Sequence, residues 1–90
     1  MWSVYLLQCS DNSLYCGITI DLFRRLEHHN TSKLGAKYTR GRRPVTLVYE
    51  EQVETHPEAL RREYKIKKLS KKEKLELVRK FEWRKVRRAT

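Results

Sequence analysis

The sequence has 90 residues, of which 36% are charged and 39% hydrophobic, so it encodes one domain with a small core and leaves little apolar surface for a second. No apolar run approaches the roughly 18 residues of a membrane span, and Met1-Trp2-Ser3 begins directly in strand-like sequence, unlike a signal peptide. We therefore expect a soluble cytoplasmic protein with no membrane partner.

The net charge of +10 is concentrated in the C-terminal third. Residues 61–90 contain 14 basic and 4 acidic side chains, whereas 7 of each cancel over residues 1–60. Such a basic surface favours a polyanionic partner, nucleic acid before membrane, because phosphate binding releases counterions. A merely solubilising surface is the alternative that charge alone leaves open.

The first 19 residues are predicted to form a β-hairpin. Trp2 to Cys9 and Leu14 to Thr19 are rich in β-branched, aromatic and apolar residues, and Ser10-Asp11-Asn12-Ser13 between them has turn chemistry. Side chains alternate between the faces of a strand, and opposed residues share a face. Tyr5 and Tyr15 therefore face the same side only if the connection has an odd number of residues or contains a bulge.

The two cysteines, Cys9 and Cys16, point to opposite faces of the sheet in that register. Their number and spacing match neither a disulfide framework nor a set of metal ligands. We expect two structural apolar thiols, with a redox role as the alternative.

A first helix is predicted from Asp21, a good N-cap, to about Asn30. The apolar arc of its helical wheel consists of Leu22, Phe23 and Leu26. Arg25 and His29, spaced i and i+4, lie together on one edge of that arc. Of the two adjacent arginines, Arg25 is therefore expected near the protein body, and Arg24 on the far side.

The second half of the chain is predicted to contain a polar connector, one strand and two helices. Thr31 to Pro44 is the connector, and Val45 to Val53 is a third strand that joins the hairpin in one antiparallel sheet. Capping boxes at Thr55 and Ser70 begin two helices. From Trp83 the apolar period is lost, so residues 1–82 are assigned to the domain and 83–90 to a frayed basic tail.

Glu63 is the most informative single position. It lies in the middle of the predicted buried arc of the second helix, which consists of Ala59, Leu60 and Ile66. A carboxylate there is costly unless a partner stabilises it. One interpretation is a helical ion pair with Lys67, four residues on; the other is a metal-binding carboxylate that points into a cleft.

The chain resembles the GIY-YIG nuclease superfamily at several positions. Ser3-Val4-Tyr5 and Tyr15-Cys16-Gly17 are similar to the two halves of its signature, with Ser3 in place of glycine and Cys16 in place of isoleucine. The family's helical arginine falls on Arg25, its histidine or tyrosine one turn later on His29, and the glutamate of a later helix on Glu63. The resemblance covers roughly residues 2 to 80 and is closest to the small single-domain UPF0213 (YhbQ-like) group.

The resemblance implies an α/β (α+β) fold, with a three-stranded antiparallel sheet flanked by helices. It also implies an endonuclease that hydrolyses DNA phosphodiester bonds, selects structure rather than sequence, and serves DNA repair or processing. By analogy Glu63 would bind a single Mg²⁺ or Mn²⁺ ion, and Arg25 would neutralise charge on the phosphoryl oxygens. Tyr5, supported by His29, would relay a proton from the attacking water that Tyr15 positions.

The connector supplies the expected nucleic-acid contacts. Tyr38 matches a pattern seen in junction nucleases of the superfamily. Basic side chains around it would hold the strand by its phosphates; the contact set is Lys37, Tyr38, Arg40, Arg42 and Arg43. No organic cofactor is expected, and a protein partner that supplies specificity is possible.

Two other functions remain open at this stage. Several superfamily members place an asparagine after the glutamate, whereas this sequence has none beyond Asn30. A non-catalytic nucleic-acid-binding module with the same fold is therefore the first alternative. A basic subunit that docks on an acidic partner protein is the second.

Overall fold

The computed structural model describes residues 1–31 and 35–89, with side chains described up to residue 82. Within these residues the elements are β1 (Trp2–Gln8), β2 (Leu14–Thr19), α1 (Leu22–Thr31), α2 (Lys37–Arg40), β3 (Thr46–Val53), α3 (His56–Lys68) and α4 (Lys71–Ala89). The strands form one antiparallel sheet in the order β2-β1-β3, with helices packed on both faces. The predicted α+β class with a three-stranded antiparallel sheet is confirmed.

The hairpin connection has the odd length that the two tyrosines require. Tyr5 is opposite Gly17, and Leu7 is opposite Tyr15, so both tyrosines lie on one face of the sheet. The pairing ends where the Cys9 amide donates to the Ser13 carbonyl at 2.9 Å. The loop between them therefore has three residues and ends in Asn12, whose φ of 66° is left-handed, as is common in such hairpins.

The core is divided by the sheet into two clusters. We call the side on which α3 packs the α3 face; its buried residues are Val4, Leu6, Cys16, Val48, Tyr49, Ala59 and Ile66, and residues of α4 pack against them. The other side, the α1 face, contains Tyr5, Leu7, Cys9 and Val45, with Leu22 and Leu26 of α1 packed against them. Cys9 and Cys16 thus lie on opposite faces, and both thiols are free, as predicted.

Local capping determines where the helices begin. The Asp21 carboxylate accepts from the Arg24 amide at 3.1 Å. The Thr55 hydroxyl accepts from the Glu58 amide at 3.3 Å, and the Ser70 hydroxyl accepts from the Glu73 amide at 3.2 Å. These contacts satisfy amides of the first turn that have no partner within the helix, and they confirm the predicted helix starts.

Two apolar residues expected in the core are exposed instead. Phe23 is 90% exposed, and Leu60 is 45% exposed. Each follows a residue that packs against the sheet, Leu22 and Ala59, by one position. One position along a helix is a rotation of about 100°. The buried arcs of α1 and α3 are narrower than that, so the next side chain points to solvent.

The C-terminal segment differs from the frayed tail that we expected. The backbone of α4 continues as helix to Ala89, because residues 83–89 contain neither glycine nor proline and are rich in good helix formers, so an established helix propagates through them. The side chains of 83–89, and residue 90, lie outside the described residues. Within the described part, no helix is long and apolar enough to cross a membrane.

Candidate active site

Tyr5 lies at the centre of the α1 face. It is in β1, the middle strand of the sheet, and only 1% of it is exposed. Its hydroxyl oxygen is 2.9 Å from Nε2 of His29, which reaches it from α1. A phenol and an imidazole in direct contact, inside the core, form a pair between which a proton can move.

Gly17 leaves the space in which the Tyr5 phenol lies. The two residues are opposed in the β1–β2 ladder. A Cβ atom at Gly17 would be 2.5 Å from the Tyr5 hydroxyl oxygen and 3.1 Å from Cε2 of Tyr15. Any side chain at this position would therefore displace the phenol, which gives the glycine that follows the second tyrosine a steric reason.

His29 is held from both of its ring nitrogens. Nε2 contacts Tyr5, and Nδ1 is 2.8 Å from the hydroxyl oxygen of Thr39 in α2. The histidine is completely buried, and burial lowers its pKa from 6.5 to about 4, with further lowering from the nearby charges of Arg25, Arg43 and His28. The imidazole is therefore neutral at pH 7 and can accept a proton.

Tyr5 is neutral as well. Burial raises the pKa of its phenol to about 12, although a hydrogen bond from Arg25 opposes this rise. Arg25 thus reaches the centre of the cluster from α1, while Arg24 is exposed. The structure brings Tyr5, Arg25 and His29 together. Arg25, and not Arg24, is the arginine near the protein body, as the helical wheel predicted.

Tyr15 continues the cluster towards the surface. Its ring contacts His29 edge-on with 5.1 Å between centroids, and it stacks on Tyr38 with 5.8 Å between centroids. The guanidinium carbon of Arg42 lies 4.0 Å from the centroid of the Tyr38 ring. The exposed end of the cluster is therefore an aromatic pair whose outer ring is covered by a cation.

A basic cleft of about 260 Å³ opens beside Arg25. Its lining contains three basic side chains, and the full set is Thr19, Ile20, Asp21, Arg24, Arg25 and His28. The Asp21 carboxylate caps α1 at this end. Arg24 and Arg25 are cationic donors in the first turn of α1 and can bind an anion such as a phosphate group, whereas the Asp21 carboxylate beside them has the opposite charge.

Glu63 belongs to the helix on the opposite side of the sheet. Its side chain is 19% exposed, and Nζ of Lys67 lies 3.6 Å from its carboxylate, so the predicted ion pair is present. Glu63 is also close to Cys16 in the edge strand β2, because its negative charge adds to burial in raising the pKa of that thiol to about 12. The carboxylate thus lies near the sheet edge but on the α3 face, whereas Tyr5, Tyr15 and His29 lie on the α1 face.

Glu63 is the only residue that we predicted to hold a metal ion. Among the described residues there is no group of three or more His, Cys, Asp or Glu side chains that could hold an ion. Mg²⁺ keeps several waters and is often held by one or two carboxylates plus substrate phosphates. Glu63 alone fits that kind of site, although it does not fit a metal enclosed by protein ligands.

The expected nucleic-acid contacts divide into two groups. Lys37 and Arg40 are exposed on α2. Arg42 instead pairs with Asp11 at 3.0 Å and donates to the Tyr38 carbonyl at 2.8 Å. Arg43 donates to the His29 carbonyl at 2.6 Å, so it binds the C-terminal end of α1.

Three features of this site were missed at the level of sequence. They are the contact of Thr39 with His29, the space above Gly17, and the part that Arg24 and His28 take in the basic cleft. Thr39 is completely buried in a segment that reads as a polar connector. The only available signal was its place next to Tyr38, which says nothing about a partner ten residues earlier.

The fold and these contacts define a small α+β domain with a tyrosine-centred site. A sequence profile described as the GIY-YIG catalytic domain matches residues 1–76, so the chain belongs to the GIY-YIG family. The fold is therefore of a nuclease type, and the nucleases of this family typically use divalent metal ions.

Two of the similar proteins are named UPF0213 proteins. That of Syntrophus aciditrophicus is 51% identical over 76 residues, which are 84% of this chain and 87% of the relative. That of Staphylococcus aureus is 53% identical over 76 residues, 84% of this chain and 92% of the relative.

Two solution structures are similar as well. The UPF0213 protein BH0048 of Bacillus halodurans has 47% identity and a TM-score of 0.55, over 87% of this chain and 83% of that one. Protein EF2693 of E. faecalis has 40% identity and a TM-score of 0.60, over 90% and 85%. Both the resemblance to GIY-YIG nucleases and the narrower one to UPF0213 proteins are confirmed.

Proposed function

We propose that this protein is an endonuclease that hydrolyses DNA phosphodiester bonds with a divalent metal ion and selects its substrate by structure rather than by sequence. The observation that carries the proposal is the contact of Tyr5 with His29, 2.9 Å apart and buried, with Arg25 bound to the same phenol. Arg25 also lines a cleft that contains further basic side chains. DNA repair or processing is the setting that such an activity would serve.

The proton of the attacking water moves through this pair. As the water oxygen bonds to phosphorus and the bridging P–O bond breaks, the Tyr5 oxygen takes the water's proton and passes its own to Nε2 of His29. The leaving oxygen takes a proton from solvent, and His29 later returns its proton through Tyr5. Tyr15, in edge contact with His29, orients the water.

Arg25 has two effects in this scheme. It stabilises the charge that develops on the phosphoryl oxygens. In the free protein its charge also helps to lower the pKa of His29. A phosphate bound to Arg25 offsets that charge, so substrate binding makes His29 a stronger base at the moment when it is needed.

A single Mg²⁺ or Mn²⁺ ion would supply Lewis-acid chemistry here: it would polarise the phosphate and stabilise the leaving oxygen. Glu63 is the residue that would hold it, since its carboxylate lies near the edge strand β2. Lys37 and Arg40 are exposed and would bind phosphates. Such contacts give affinity without reading bases, which is why the selection of DNA structure is proposed, either by this domain or with a protein partner.

Cleavage of flapped, branched and fully duplex DNA, in Mg²⁺ and in chelator, tests the proposal. We expect Tyr5→Phe, Arg25→Ala and Glu63→Gln each to lower kcat by about 10²-fold or more, because each removes a group that acts in the transition state. Glu76→Gln is the matched control, since Glu76 is an exposed helical glutamate paired with Arg79. Equal cleavage by the wild type and all three site variants would contradict the proposal.

A non-catalytic nucleic-acid-binding module is the second candidate. The observation in its favour is that Glu63 lies on the α3 face and is paired with Lys67. This function predicts binding that weakens steeply with salt, no cleavage in Mg²⁺ or Mn²⁺, and no change in affinity for Glu63→Gln. The same cleavage assay, run beside a binding titration, separates the two candidates.

A further inference from the structure

Thr39 is a completely buried polar residue with a defined direction of hydrogen bonding. Its hydroxyl oxygen lies 2.9 Å from the Ala36 carbonyl and 2.8 Å from Nδ1 of His29. A hydroxyl has one proton, and the carbonyl can only accept. Both contacts are hydrogen bonds at once only if the hydroxyl proton goes to the Ala36 carbonyl, which also accepts from the Thr39 and Arg40 amides, and the Thr39 oxygen accepts from an Nδ1–H of the histidine.

The opposite end of the imidazole leads to the same assignment. The Tyr5 oxygen accepts a hydrogen bond from Arg25, and its own proton needs an acceptor because the phenol is buried. Nε2 of His29, at 2.9 Å, is that acceptor if it carries no proton. Tyr5 and Thr39 thus require the same arrangement, with the single ring proton on Nδ1.

The imidazole ring of His29 has two possible tautomers because it is neutral. Burial and the charges of Arg25, Arg43 and His28 act against the imidazolium form. A neutral imidazole has one proton and two possible positions for it, and the hydrogen bond at one nitrogen selects the position. Charges around the ring act on whether it is protonated, whereas Thr39 acts on which nitrogen is protonated.

We propose that Thr39 is a positioning residue that holds His29 as the Nδ1–H tautomer and so keeps Nε2 open for the Tyr5 proton. Its effect on catalysis rests on the proposed function, but the tautomer itself does not. In the Nε2–H tautomer the nitrogen that faces Tyr5 would already hold a proton, and the relay from water through Tyr5 would have no acceptor.

The approach of α2 to α1 makes this contact possible. A Cβ atom at Gly35 would lie 2.6 Å from the His28 carbonyl oxygen and 2.9 Å from Cα of His29, so only glycine permits this spacing. Arg43 then returns to the His29 carbonyl from the other end of the short helix. The segment that we predicted as a polar connector therefore packs against α1 and holds the Thr39 hydroxyl against Nδ1 of His29.

Nitrogen NMR of selectively ¹⁵N-labelled histidine in the free protein tests the assignment directly. We expect His29 of the wild type to show a protonated Nδ1 and an unprotonated Nε2. Thr39→Ser keeps the acceptor and should keep that pattern. Thr39→Val has nearly the same shape without the oxygen, so we expect the ring proton to move to Nε2 in a large fraction of molecules.

Kinetics gives the second measurement. Thr39→Val should lower kcat for DNA cleavage by about 10²-fold, the usual size of a general-base contribution, with KM unchanged because Thr39 lies behind His29 rather than in the cleft. Thr39→Ser should restore most of the rate. Thr31→Val is the matched control, since the Thr31 hydroxyl also donates to a helix carbonyl, that of Glu27, and is exposed.

The outcomes distinguish this inference from the proposed function. A protonated Nε2 in the wild type, or an unchanged His29 spectrum in Thr39→Val, overturns the inference. If the spectra behave as expected but no variant and no wild-type sample cleaves DNA, the tautomer assignment stands and the proposed nuclease function fails. If Thr39→Val loses rate while its His29 spectrum is unchanged, Thr39 acts in some other way and the inference is wrong.

Discussion

At the scale of single residues, the space above Gly17 decides where the Tyr5 phenol can lie. The Tyr5 phenol passes over Gly17, its partner in the β1–β2 ladder, so closely that a methyl group on Gly17 would not fit. The Tyr5–His29 contact of 2.9 Å depends on that crossing. The glycine is thus part of the site although it has no side chain, and its role is steric rather than conformational because its φ is not positive.

Replacement of this glycine is the sharpest residue-scale prediction. Gly17→Ala should keep the fold, lower the free energy of unfolding by roughly 1–3 kcal/mol through overpacking, and abolish most of the cleavage because Tyr5 is displaced. Chemical denaturation, cleavage rate and the NMR signals of His29 measure these effects. Gly41→Ala is the control, since a Cβ there meets nothing within 4 Å. Wild-type spectra and rates for Gly17→Ala would show that the steric argument is wrong.

At the scale of elements, α2 and its flanking residues connect three parts of the molecule. Arg42 binds Asp11 in the hairpin loop and covers the ring of Tyr38, which stacks on Tyr15. The Ser13 hydroxyl and amide, with Arg42, lower the pKa of Asp11. A guanidinium held in this way has an internal partner, whereas the exposed Arg40 on the same segment is available for phosphate.

The two arginines should therefore respond differently in DNA binding. Arg40→Ala should reduce the slope of log affinity against log salt by about 1, since one phosphate contact is lost. Arg42→Ala should leave that slope nearly unchanged and instead loosen the Tyr38–Tyr15 stack. Fluorescence anisotropy at several salt concentrations measures the slopes. A loss of slope in Arg42→Ala as large as that in Arg40→Ala would mean that Arg42 leaves Asp11 to bind DNA.

At the scale of the whole molecule, the basic helices and the tyrosine cluster lie on opposite sides of the sheet. The excess positive charge is in residues 61–90, which include most of α3 and all of α4. Both helices pack on the α3 face. The cation that reaches Tyr5 comes instead from α1, since Arg25 donates a hydrogen bond to the phenol, and Arg24 of the same helix lines the cleft beside Arg25. The concentration of charge along the sequence therefore did not indicate where the tyrosine cluster lies.

The stability of the molecule should depend on pH through His29. Its pKa is about 4 in the folded protein against 6.5 unfolded. Between these values the unfolded chain binds more protons, so the free energy of unfolding should fall as pH is lowered, by up to roughly 3 kcal/mol. The pKa values of Asp11 and Glu73 are lowered from 3.8 and 4.5. These two carboxylates therefore reduce the free energy of unfolding only at still lower pH.

Urea denaturation at pH steps from 7 to 4.5 measures this dependence. His29→Gln should remove most of the slope, because the group that titrates is gone. The matched control His56→Gln, at an exposed histidine that stacks on Trp2, should retain it. A slope that survives in His29→Gln would mean that another group is responsible.

The sequence by itself determined the strands and the helix starts, and it set the condition, an odd-length connection or a bulge, under which Tyr5 and Tyr15 share a face; the register then showed that they do. The sequence also determined that Arg25 and His29 lie side by side. These features depend on side-chain alternation, on capping and on the 3.6-residue repeat, which act over a few neighbouring residues. The structure agrees with these rules on where the elements begin and pair, but the helical repeat also placed Phe23 and Leu60 in buried arcs, and both are exposed.

The tertiary structure alone decided which residues meet across the fold. It placed Thr39 against His29, Tyr38 on Tyr15, and Glu63 on the face opposite Tyr5. It also left Phe23 exposed and continued α4 to Ala89. These outcomes depend on how helices close on the two faces of the sheet, and no local periodicity encodes the contact between residues far apart in the chain.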